Sequence, residues 1–172
     1  MKTTKNLALI STFTAVLIGG QFALSAVSGI EIVTVLFLSF AYVFGVKRSI
    51  FVANAFSVLR CLIFGFFPTI IVLYLIYYNL FAVVVGAIGN KLKHDYSLKN
   101  HVILAIVAIL LTVCFTLFDN VITPLFYRFD STATVAYWYA SLTAVVPQVV
   151  CVAVTTALLF FPLYKVFFKI SF

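Results

Sequence analysis

Charge is scarce in this 172-residue chain: 9% of the residues are Asp, Glu, Lys or Arg, and only four are acidic. Soluble domains carry about 25% charged residues, so these cannot cover a water-facing surface. The sequence has no HExxH, no GxSxG and no Walker A or other glycine-rich phosphate loop. That excludes the metalloprotease, serine-hydrolase and P-loop chemistries those patterns carry. Cysteine is limited to Cys61, Cys114 and Cys151, all in apolar runs, without CxxC spacing and far in sequence from His94 and His101. They read as small buried hydrophobes, not metal ligands or redox centres. No catalytic residue, metal or cofactor is expected, and the chain is not read as an enzyme.

What the chain has is apolar: 65% hydrophobic residues and a mean hydropathy of +1.25. The class is an all-α integral membrane protein. A span takes roughly 20 residues, so the length suits a single domain over 1–172 with six transmembrane helices. Apolar segments fall at 6–28, 30–46, 48–66, 69–90, 100–127 and 141–168. Each is apolar on all faces, without the alternation of a β-barrel. The first, with Lys2 and Lys5 ahead of it and Ala23, Ser25 and Ala26 near its end, has signal-peptide features. Its apolar run is long, and it is read as a retained helix.

The basic residues orient the helices. With the amino terminus inside, Lys2, Lys5, Lys47, Arg48, Lys91, Lys93, Lys99, Lys165 and Lys169 share the inner side, Arg128 lies outside and Arg60 lies within a span. This asymmetry predicts both termini in the cytoplasm. The net charge of +7 therefore belongs to inner loops and does not point to nucleic acid. The one longer outer connection, 128–140, with Tyr137, Trp138 and Tyr139, reads as an interfacial belt or as a lid.

A charge inside the bilayer costs roughly 2.5–3.5 kcal/mol on insertion scales and usually faces a cavity or a partner. At 1.5 Å per residue, Arg60 lies about 20 Å above Lys47, and Asp119 about 30 Å above Lys99. Glu31 and Gln148 fall at the outer side as well, and Asn79 near mid-depth. The inner half is largely aliphatic, unlike an ion path, which needs polar groups throughout its depth. The pattern predicts an outward-facing pocket with an apolar floor. Its candidate ligand-binding residues are Arg60, Asp119, Asn120 and Glu31, with Tyr74, Tyr78, Asn79, Trp138, Tyr139 and Gln148. Other readings stand beside this one. Arg60 could pair with Asp119 or Glu31 as a structural ion pair, and Asp119 and Asn120 could cap a helix before Pro124. His94 and His101 read as solvated loop residues. On the first helix, Ala8, Ser11, Thr12 and Ala15 form a small-residue stripe that suits close helix approach, within the bundle or to another membrane protein.

In order and spacing, "ALISTFTAV", "IEIVTVLFLSFAYVFGVKRSI", "FTLFDNVITPLF" and "LLFFPLYKVF" resemble the substrate-binding S components of energy-coupling factor (ECF) transporters, a class of ABC transporter. The resemblance implies a multi-pass subunit of the bacterial cell membrane that captures a vitamin or similar micronutrient from outside. It implies as partners a membrane coupling subunit, docked at Ala8, Ser11, Thr12 and Ala15, and two cytoplasmic ATPases that supply the hydrolysis. Transport in that family is pictured as toppling of the whole S component. A structural or scaffold membrane protein and a self-sufficient small transporter are the alternatives.

Overall fold

The computed structural model describes residues 2–25 and 32–171, with side chains from residue 4 onward. Glu31 lies outside these residues. The described chain is all-helical: α1 (Lys2–Leu24), α2 (Val33–Phe64), α3 (Pro68–Lys91), α4 (Leu98–Tyr127) and α5 (Ser131–Ser171). All five helices are long and apolar enough to cross a membrane. Large apolar side chains such as Leu110, Val121, Leu158 and Ile170 are exposed, as a lipid-facing surface requires.

The segments expected at 30–46 and 48–66 form one element, α2, which breaks at Gly45 (φ 76°, ψ 178°). An unbroken helix of 32 residues would run about 48 Å. Yet Ile32 and Val33 at its start and Arg60 and Phe64 near its end line the same cavity, so the chain reverses at Gly45. The first arm, 33–44, is only about 18 Å long, and every residue in it is buried. It is the central post of the bundle, enclosed by the other helices.

The reversal is tightly built. Gly45 occupies a backbone region open essentially to glycine alone, and a Cβ there would also meet Asn90 Oδ1 at 3.0 Å. The break leaves the last carbonyls of the first arm without partners in their own helix. One of them, Tyr42 O, accepts a hydrogen bond from His94 Nδ1, while the Tyr42 hydroxyl donates to Asp95 O and the Tyr164 hydroxyl donates to His94 O. The His101 Nε2–H donates to Thr156 O at 2.9 Å. The histidines are therefore not simply solvated: His94 ties the α3–α4 link to the α2 reversal and to α5, and His101 ties the first turn of α4 to α5. A loop rich in Lys and Asn looks solvated in sequence, because orphan carbonyls from distant helices leave no mark there.

The expected outer connection at 128–140 is also corrected. Only Arg128–Asp130 links α4 to α5. Asp130 caps the new helix, its Oδ1 accepting the Ala133 N–H at 2.7 Å, the bonding of an N-cap residue. Tyr137, Trp138 and Tyr139 are thus helical. Nor do Asp119 and Asn120 end a helix, since α4 continues through Pro124 to Tyr127.

Candidate ligand-binding cavity

A cavity of about 330 Å³ lies at one end of the bundle, and all five helices contribute to its wall. Its residues come from the end of α1, both ends of α2, the first half of α3, the second half of α4 and the first half of α5. The opposite end, where α1 and α4 begin, α2 reverses and α3 and α5 finish, carries Lys5, Lys47, Arg48, Lys91, Lys99 and Lys169. Between the two ends the bundle is filled: Phe37, Phe40, Val52, Phe81 and Val85 have no exposed surface.

Arg60 is the one charged side chain among the described residues of this wall. Its guanidinium lies over the Tyr74 ring at 4.4 Å and near that of Phe64 at 5.6 Å. Such cation–π contact fixes the plane of the group. Its Nε is buried and has no hydrogen-bond partner. Gln21, one turn from the end of α1, brings a second orphan: its Nε2 reaches the Tyr74 hydroxyl at 3.5 Å, while its Oε1 is buried and unpartnered. Tyr77 and Phe115 meet edge to face at 4.8 Å and continue the aromatic wall toward Thr112 and Gln148.

Of the expected site residues, the fold brings Arg60, Tyr74, Tyr78 and Gln148 together here. Gln21, Tyr77, Thr112 and Phe115 join them without having been singled out as ligand contacts. Gln21 sits among the small residues of α1, whose packing stripe masked it.

Asp119 lies on the wall of a neighbouring cavity of about 250 Å³, which shares Phe115 and Gln148 with the first. The Arg60–Asp119 ion pair considered from the sequence is not formed. The carboxylate instead accepts from the Thr123 and Tyr137 hydroxyls, each at 2.6 Å. Asn79 faces elsewhere, exchanging hydrogen bonds with Asn54 at 3.0 and 3.4 Å and tying α3 to the second arm of α2. Tyr139 is 69% exposed and lines none of these cavities.

Asn120 and Trp138 belong to a shallow groove between α4 and α5, and what joins them is structural. Pro124 has no N–H to give the Asn120 carbonyl, four residues earlier in the helix. The Trp138 indole supplies that bond at 3.0 Å. Trp138→Phe is expected to lower stability by about 1 kcal/mol, and Pro124→Ala in the same chain to recover part of the loss by restoring the backbone donor. Thermal melts of the two variants and the double variant in detergent check this.

The stripe of Ala8, Ser11, Thr12 and Ala15 is exposed, while Phe13, Leu17 and Ile18 on the other face of α1 are buried. The small residues are therefore not used for packing inside the bundle. Compared with family models, with curated proteins and with solved structures, the chain matches none.

Proposed function

We propose that this chain is the substrate-capture subunit of an ECF-type uptake transporter in the bacterial cell membrane. In this reading the two arms of α2 run in opposite directions through the bundle, giving six traverses in all, the first arm, about 18 Å long, crossing only part of the roughly 30 Å hydrocarbon core. Both termini and the basic end face the cytoplasm, and the cavity opens outward. The observation that carries it is the cavity itself: a polar chamber walled by every helix, above a core packed with wholly buried aromatic and aliphatic side chains. Such a chamber suits capture. An ion channel needs polar groups along the full depth, and here the described core below the chamber is mostly aromatic and aliphatic. Release to the inside would then require movement of the whole subunit, as the family resemblance implies.

The exposed small-residue face of α1 supports a docked partner, because lipid does not need small residues and close-packed helices do. The partners are a membrane coupling subunit and two cytoplasmic ATPases. The test is isolation of the tagged chain from its native membrane in mild detergent. Co-isolation of a membrane subunit together with ATPases, in nucleotide-sensitive association, is the expected result. A chain that takes up its solute in vesicles alone, or that comes out with cell-envelope assembly proteins and no ATPase, overturns the reading.

A further inference from the structure

We infer that the ligand of the main cavity is a small planar anion, held by its carboxylate or phosphate on Arg60 and by its ring against the tyrosine wall. The inference rests on the capture reading and names the class of molecule captured.

Charge is the first argument. A buried donor without an acceptor is costly, and Arg60 Nε is one; the thiol of Cys61 beside the guanidinium is only a weak partner, and no acidic side chain stands among the described residues of the wall. Asp119, on the wall of the neighbouring cavity, is engaged by two hydroxyls. Arginine's planar fork matches a carboxylate or phosphate in geometry as well as charge, and its stacking on Tyr74 holds that fork in place before a ligand arrives.

Shape is the second. Phe64, Tyr74, Tyr77, Tyr78 and Phe115 all line the chamber, and aromatic walls favour flat partners in offset or edge-on contact. The volume, about 330 Å³, lies at the floor of the range for small-molecule pockets, about 300–1,000 Å³. It suits one ring system with short substituents. The unpartnered Gln21 Oε1 asks in addition for one N–H or O–H donor on the ligand.

The experiment is mass spectrometry of the small molecules that leave the detergent-purified full chain on denaturation, after expression in rich medium. Wild type, Arg60→Gln, Arg60→Lys and Glu31→Gln are compared, with a melting curve for each after the ligand is dialysed away. A planar carboxylate or phosphate is expected from wild type, and the identified mass tells the two anions apart. Arg60→Gln is expected to bind it at least about thirtyfold more weakly, the scale for losing one partner of a buried charge pair. Arg60→Lys should fall between. Stripped Arg60→Gln should melt no lower than stripped wild type, because an unpartnered charge has been removed.

A neutral or cationic ligand, retained equally by Arg60→Gln, overturns the anion assignment and leaves capture standing. No small molecule from wild type overturns both. If stripped Arg60→Gln and Glu31→Gln both melt well below wild type and both lose the ligand, Arg60 is a structural partner of Glu31 and the assignment fails.

Discussion

Gly89→Ala is expected to destabilise the protein by about 3 kcal/mol, the upper end of the usual range for overpacking. Monodisperse protein in detergent should fall sharply. The Cβ would stand 2.3 Å from Tyr42 O and 3.0 Å from Tyr42 C. These are backbone atoms of the central post, so no rotamer change relieves the contact. The same carbonyl accepts from His94 Nδ1, so pushing α3 away also disturbs the link that holds the reversal. Gly19→Ala is the control. Its Cβ would meet nothing within 4 Å, and alanine in a helix interior is favoured over glycine by about 0.5–1 kcal/mol. Paired melting curves should move in opposite directions, and a Gly89→Ala protein that melts with wild type contradicts the close approach described here.

The second large effect is expected on function with the fold intact. Ala15→Trp places a bulky ring on an exposed face of α1, where substitutions normally change stability by no more than about 0.5 kcal/mol. A partner helix lying against that face needs small residues to come close. Tryptophan should therefore reduce recovery of the proposed coupling subunit and ATPases at least about tenfold, equivalent to about 1.4 kcal/mol of association. Val150→Trp, at a position 57% exposed on α5, should leave recovery unchanged. Quantitative recovery on the tagged chain, with a melt to show folding, decides between them. Equal recovery with Ala15→Trp and wild type would show that the stripe docks nothing.

The sequence carried the helical class, the stretches that became helices and the crowding of strongly polar groups toward one end, because hydropathy and charge report directly on what lipid tolerates. It did not carry the burial of residues 33–44. A helix wrapped by other apolar helices and one facing lipid need the same residue types, so composition cannot separate them. Gly45 stood in plain view in "YVFGVKRS" and marked a turn, but whether the flanking arms were two full-length helices depended on packing against α3. The helical start of α5 was legible in principle: Asp130 followed by Ser131 and Thr132 is a capping signal, outweighed by the interfacial look of Tyr137–Tyr139. Arg60 was found because a buried charge is conspicuous. Gln21 was not, since an amide among Gly19, Gly20 and Ala23 looks like part of a packing face until the end of α1 meets Tyr74. The companions considered for Arg60 could not be ranked from sequence, since depth alone does not say that Asp119 turns toward Tyr137 on α5.

The proposed ligand chamber opens to the outside of the cell and is closed toward the basic end. This arrangement is tested most directly with a membrane-impermeant thiol reagent on intact cells, using a chain whose three cysteines are replaced by alanine. Gln148→Cys, in the cavity wall, should be labelled without permeabilisation. Lys99→Cys, exposed at the basic end, should be labelled only after the membrane is opened. Labelling of Lys99→Cys in intact cells, with Gln148→Cys protected until permeabilisation, would contradict the account.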